Sequence, residues 1–164
     1  MKTLNTNIPG YNPLVSKLTI ISDRNKNNID GGIAIWVDDQ LEFEVLTDLS
    51  FFEEHFFESW FIKIHVEKNK FKIICNIYRP PGSDLPKFKD KFIRILEIIE
   101  RDKVLNKSSK VLGDFNVNLL NHSSHSGTSI FLNNLLSKGL LPLVTFPIRI
   151  SQNSSTLKAN IFIK

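Results

Sequence analysis

The stretch SKVLGDFNVNLLNH, Ser109 to His122, ends a short apolar run on an acid and an amide two positions apart. These are Asp114 and Asn116, with Phe115 between them. A carboxylate can hold a hard cation or orient a water, and a neutral amide can donate to a phosphate oxygen without adding repulsion. Residues two apart on an extended segment point the same way, so the pair is placed to address one ligand. Two further apolar runs stop in a similar manner: FKIICNIY closes on Tyr78 and Arg79 ahead of Pro80 and Pro81, and LVTF closes on Pro147 and Arg149. A tyrosine hydroxyl and a guanidinium fork also act on phosphate oxygens. Phosphoryl transfer uses this mixture of positioned donors, a carboxylate and, commonly, Mg²⁺. Each piece also has a plainer reading. Asp-x-Asn after a strand is good turn chemistry, and Tyr-Arg-Pro-Pro ends a strand with a snorkelling cation.

The elements that must position these residues follow from hydrophobic period. Everything through Asn12 reads as loop, with Pro, Gly and Asn crowded into NIPGYNP. Leu14 to Ile21 reads as a strand, NKNNIDGG as a turn and Ile33 to Val37 as a second strand, which together predict a hairpin. Leu41–Leu46, Phe56–Val66 and Phe71–Tyr78 read as further strands. From Pro86 the period changes, and Phe88, Phe92, Ile95, Leu96 and Ile99 form one stripe of an amphipathic helix. Lys110 to Gly113 is a strand. Ser129 to Lys138 is predicted as a second helix with Ile130, Leu132, Leu135 and Leu136 inward and Gly139 as its stop. LPLVTF and TLKANIFI read as two closing strands. Mostly strand with two interspersed helices predicts a mixed α/β fold of α+β layers rather than a regular βαβ alternation.

Bulk properties narrow the class. At 164 residues, with no internal repeat and no low-complexity linker, residues 1–164 read as a single domain. The net charge of +4 is compatible with a polyanionic partner, but the lysines are spread through every segment and mark no concentrated basic face. Cys75 is the only cysteine, so a disulfide within the chain is excluded, and a reducing, intracellular compartment is expected. The first twenty residues lack the continuous apolar core of a signal peptide, and no apolar run reaches the roughly 18 residues of a membrane-spanning helix. His122 and His125 flank a loop without an acid or cysteine at ligand spacing, and His55 and His65 have no evident partner. Glu53 and Glu54 read as an exposed acidic pair, and Glu58 as a partly buried mid-strand acid that pairs or faces solvent.

The segments NIPGYN, GGIAIWV, FESWFIKI, NIYRPPGS, VLGDFNVNLL, FPIRI and SSTLKANIF together resemble the endonuclease/exonuclease/phosphatase family. They are most similar to the endonuclease domain that non-LTR retrotransposons carry ahead of a reverse transcriptase. The resemblance spans nearly the whole chain. It implies a β-sandwich flanked by helices, DNA as partner, Mg²⁺ or Mn²⁺ as cofactor, and nicking of a DNA phosphodiester. By matching residues, Tyr78 would hydrogen-bond the scissile phosphate, Asp114 would orient or deprotonate the attacking water, and Asn116 would bind a phosphate oxygen. Asn76 would line the same site, and Arg79 and Arg149 would be DNA-facing cations. Nuclear residence would follow for a parent element. A phosphatase is the other reading within the same superfamily, and a non-catalytic nucleic-acid-binding remnant the reading outside enzymes.

Departures from the family pattern are equally specific. The resemblance implies a catalytic Asn and a metal-binding Glu ahead of NIPGYN, where this chain begins. It implies an Asp in the late strand, and Ala159 stands there. The family's Ser-Asp-His base would lie beyond Lys164, and the last strand runs to the chain end without a turn. The expectation is therefore a partial sandwich, cut at both ends, with no assigned metal ligand and only the middle of an active site.

Overall fold

The computed structural model describes residues 16–21, 32–38, 40–53, 55–68, 70–103, 105 and 109–164. The predicted loop through Asn12 and most of the NKNNIDGG turn lie outside them. Strands β1 (Ser16–Ile21) and β2 (Ala34–Asp38) form the predicted antiparallel hairpin as a two-stranded sheet. Next come β3 (Phe43–Val45), β4 (Phe51–Glu53), β5 (Phe57–Glu67) and β6 (Lys70–Tyr78). Helix α1 (Leu85–Arg101) leads to β7 (Ser109–Asp114), and α2 (Ser126–Ser137) leads to β8 (Leu141–Pro142). A second small hairpin, β9 (Arg149–Ser151) and β10 (Ser154–Thr156), precedes β11 (Ala159–Ile163).

The main sheet has seven strands in the order β3-β5-β6-β7-β11-β8, with β4 also paired to β5. Every pairing in it is antiparallel except β6 with β7. A parallel pair needs a crossover, and α1 supplies it. Alternation then sorts the side chains. Phe57, Phe61, Ile73, Cys75, Ile77, Val111 and Phe162 fall on the face that packs against α1 and α2. Ile62, with Trp60, Ile64, Ile74 and Tyr78 around it, falls on the opposite face under Ile33, Ile35 and Val37 of the β1–β2 hairpin. The chain is a mixed α/β structure in layers, with helices on one face of a multi-stranded sheet and a strand hairpin on the other.

Helix α1 matches its sequence pattern. Asp84 caps it by accepting the Lys87 N–H at 2.8 Å, Pro86 sits in its first turn, and Phe88, Phe92, Leu96 and Ile99 are buried. Cys75 is free and fully buried, and burial pushes its thiol far above the ordinary range. Among the described residues no helix is long and apolar enough to cross a membrane.

Helix α2 departs from its predicted face. It begins at Ser126, because the imidazole of His125 acts as the cap and its Nδ1 accepts the Thr128 N–H at 3.1 Å. The buried stripe is Thr128, Phe131 and Leu135, whereas Ile130 and Leu136 are 49 % and 41 % exposed. Aromatic packing selects this face: the Phe131 ring lies 5.7 Å from Phe92, 6.0 Å from Phe88 and 5.6 Å from Phe115. The closing strands are also shorter than their patterns. Asn160 takes the place of a strand beside Val144, accepting its N–H at 3.2 Å and donating to its carbonyl at 2.8 Å, and β8 stops at Pro142. TLKANIFI breaks at Leu157 and Lys158, whose backbone groups turn to Asn118, Leu119 and Phe115.

The two faces of α2 can be told apart by substitution. Phe131→Ala is expected to cost about 3–5 kcal/mol and Ile130→Ala no more than about 0.5 kcal/mol in urea unfolding. A larger loss for Ile130→Ala than for Phe131→Ala would restore the sequence-derived face, and equal losses would remove the distinction between faces.

Candidate functional site

Parallel pairing aligns the ends of β6 and β7. Tyr78 lies in register with Asp114 and Ile77 with Gly113, and the Arg79 N–H donates to the Asp114 carbonyl at 2.9 Å. Gly113 permits this approach. A Cβ built there would lie 1.8 Å from the Ile77 carbonyl oxygen, and its φ of +145° is one that side chains rarely adopt. The glycine of GDFN is thus a packing requirement at the point where the candidate side chains emerge.

The pairing register extends the row to both sides. Glu58 of β5 stands opposite Tyr78, and Ala159 of β11 stands opposite Asp114. Glu58, Tyr78, Asp114 and Ala159 therefore run across four strands on the face turned away from the helices, about 5 Å from strand to strand. Asn76, two residues before Tyr78, lies on that face one row further in, between Trp60 and Leu112. Tyr78, Asn76 and Asp114 are all half-buried. Glu58 is fully buried at the start of β5, which corrects its reading as a mid-strand acid able to face solvent. Its parity with Trp60, Ile62 and Ile64 was the signal that placed it on an inward face.

Asp114 and Asn116 do come together, by a different geometry from the extended one expected. Asn116 adopts a left-handed backbone with φ +48°, and its N–H donates to Asp114 Oδ1 at 3.1 Å. This is an Asx-turn, and Asn is among the few residues that tolerate the left-handed region. The Asn116 side-chain Nδ2 donates to the Arg79 carbonyl at 2.7 Å. Among the described residues, Asp114 Oδ2 and Asn116 Oδ1 make no hydrogen bond. Phe115, between them, is buried in the aromatic core against Phe92, Phe131 and Phe162.

Arg79 does not face outward as the sequence suggests. It is 5 % exposed, and its guanidinium donates to the carbonyls of Phe115 at 2.7 Å, Ser83 at 2.6 Å and Asn116 at 2.8 Å. Burial lowers its pKa from the ordinary guanidinium value, and the nearby Asp114 charge opposes that shift. Arg149 is exposed on the β9–β10 hairpin, and no hydrogen bond or ion pair among the described residues joins it to Tyr78, Asp114 or Asn116. His125 is a helix cap, and His122 Nδ1 lies 3.2 Å from the Leu119 carbonyl.

Mg²⁺ and Mn²⁺ take oxygen ligands, with one or two carboxylates beside phosphates and waters. No three of His, Cys, Asp and Glu converge among the described residues. Asp114 has one carboxylate oxygen already engaged, and the neighbouring position in the row is an alanine. The described side chains place one carboxylate oxygen, the second Nδ2 hydrogen of Asn116 and the Tyr78 side chain at the ends of two aligned strands. No protein-family model and no curated protein matches the chain.

The close approach at Gly113 gives a direct test of this geometry. Gly113→Ala is expected to cost about 3 kcal/mol or more in denaturant unfolding, since strain and backbone collision add. A loss within about 0.5 kcal/mol, the range of ordinary surface changes, would mean that β6 and β7 do not meet in this register.

Proposed function

We propose that this chain is an endonuclease/exonuclease/phosphatase-like domain of the kind carried by non-LTR retrotransposons, and that it binds the phosphodiester backbone of DNA. In this reading, catalysis of hydrolysis by the chain alone is weak or lost. The observation that carries the proposal is the register of Tyr78 with Asp114 at the aligned ends of β6 and β7, with Asn116 held beside them. The resembling segments supply the roles. Tyr78 would donate to a phosphate oxygen, Asn116 would donate to a second one through the Nδ2 hydrogen that the Arg79 carbonyl does not take, and Asp114 would hold the water side. A net charge of +4 favours a polyanion, and the half-buried setting of Tyr78 strengthens a hydrogen bond from it relative to open water.

The chemistry of hydrolysis asks for more than these residues. In-line attack on a phosphodiester needs a group that takes the proton from water and a positive charge that steadies the developing oxyanion. Asp114 is suited to orient a water. Arg79, whose charge interacts with Asp114, is committed to backbone carbonyls, and Ala159 places a methyl group where the resemblance expects a carboxylate. Missing a base alone costs about 10²- to 10⁴-fold in rate. Binding without efficient turnover is the outcome these donors support.

Two assays on the full chain test the proposal. In fluorescence anisotropy with duplex DNA, saturable binding is expected, weakened about three- to ten-fold by Tyr78→Phe and by Asn116→Ala, the equivalent of one hydrogen bond each. In a supercoiled-plasmid assay with Mg²⁺ or Mn²⁺, nicking is expected to stay near the level of an Asp114→Ala control. Variants that bind as tightly as the parent would remove the phosphodiester site. Strong nicking abolished by Asp114→Ala would show instead a complete catalytic centre.

A further inference from the structure

We infer that Arg79 positions Asp114 and Asn116 from beneath and does not itself touch the bound backbone; this rests on the phosphodiester reading above. The side chain is 5 % exposed, so a DNA phosphate cannot reach its nitrogens without displacing protein acceptors. Those acceptors are specific. Nε donates to the Phe115 carbonyl at 2.7 Å and Nη2 to the Asn116 carbonyl at 2.8 Å. Nη1 donates to the Ser83 carbonyl at 2.6 Å and to Ser83 Oγ at 3.0 Å. The exchange is reciprocal, because the Asn116 amide donates back to the Arg79 carbonyl at 2.7 Å. The Phe88 ring centroid lies 5.6 Å from the guanidinium carbon and backs it with an aromatic face.

The consequence concerns the one strained residue of the site. Asn116 sits at φ +48°, a region that L-residues other than Gly enter at a cost, and it must hold that turn for its amide to stand beside Asp114. Two carbonyls in succession, those of Phe115 and Asn116, are gathered by one planar fork. An ammonium could keep the charge but not span both acceptors together with Ser83. The buried cation also lies close enough to the Asp114 carboxylate to interact with its charge, which eases the approach of a phosphate that the carboxylate alone would repel.

The experiment uses the full chain, duplex DNA, and Arg79→Lys beside Asn116→Ala and the double variant. Anisotropy is read across a series of NaCl concentrations, at a temperature where circular dichroism shows each protein folded. Folded Arg79→Lys is expected to bind about three- to ten-fold more weakly, and no more weakly than Asn116→Ala. The double variant should bind no more weakly than Asn116→Ala, because both changes act through one turn. The slope of log K against log[NaCl] should stay that of the parent. A slope reduced by about one phosphate contact would make Arg79 a direct ligand and overturn the inference. So would parental affinity in folded Arg79→Lys, which would leave only a structural strap. If Asn116→Ala binds DNA like the parent, the phosphodiester reading falls by itself. Amide hydrogen exchange at Phe115 and Asn116 then decides the positioning role, which faster exchange in Arg79→Lys supports and unchanged exchange overturns. Should Arg79→Lys fail to fold, Ser83→Ala removes only the 3.0 Å contact. It is expected to weaken binding by a smaller factor without altering the slope, and parental binding would again overturn the inference.

Discussion

The site depends on how closely the backbone of β7 lies against that of β6 at Gly113. No side chain fits between Gly113 and the Ile77 carbonyl, and the parallel register at that point places Tyr78 beside Asp114 one residue later. Parallel strands cannot be joined by a tight turn, so the register is set at a distance by α1, whose Phe88, Phe92, Leu96 and Ile99 rest on the sheet. Once the strands are aligned, the Arg79 N–H reaches the Asp114 carbonyl and its guanidinium reaches Phe115 and Asn116. The desolvation of a buried guanidinium costs several kcal/mol, and three carbonyl acceptors with a nearby carboxylate offset it. The strand ends are therefore joined by charge-assisted hydrogen bonds as well as by ladder bonds.

Phe115 explains why an acid and an amide flank an aromatic residue. Its ring lies 5.9 Å from Phe92, 5.6 Å from Phe131 and 5.5 Å from Phe162, so it anchors the loop in the core shared by both helices and β11. Aromatic pairs of this kind contribute about 0.5–1.5 kcal/mol each beyond their burial. Asp114 and Asn116 are thus held from the core side by a hydrophobic plug and from below by a guanidinium. Both supports come from buried groups, the Phe115 ring and the Arg79 guanidinium, which is how a short loop keeps a polar side chain in place.

Much of this architecture is legible in the residues. The alternation of Phe57–Glu67 and Lys70–Tyr78 and the stripe of α1 correspond directly to elements of the structure. The failures have local causes. Ile130 and Leu136 are as apolar as the residues that became buried, and the ring contacts of Phe131 with Phe88, Phe92 and Phe115 choose between the faces. LPLVTF has strand composition, yet the buried amide of Asn160 takes up both backbone groups of Val144. No periodicity reports that substitution. Arg79 before two prolines looks like a surface cation, because a sequence records the charge of a side chain and not the carbonyls that surround it. Asn116 illustrates the same limit, since period two assumed an extended backbone and the chain turns left-handed there.

The turn reading and the site reading of Asp-Phe-Asn are compatible. Asp114 Oδ1 closes the Asx-turn with the Asn116 N–H, and the same bond orients the carboxylate so that Oδ2 is left without a hydrogen bond among the described residues. Turn chemistry is the means by which the carboxylate is aimed. Whether such a carboxylate can do more than aim depends on its neighbours in the row. On one side stands Tyr78 and, beyond it, the fully buried Glu58; on the other stands Ala159, directly opposite. In an antiparallel pair, side chains directly opposite lie about 4.5–5.5 Å apart at Cβ, the range in which two carboxylates could share one cation. Ala159 offers a methyl group in place of a second carboxylate, and the buried Arg79 beneath interacts with the charge of Asp114. Under the proposed reading, a carboxylate that interacts with a buried guanidinium in this way repels a phosphate less than a lone carboxylate would.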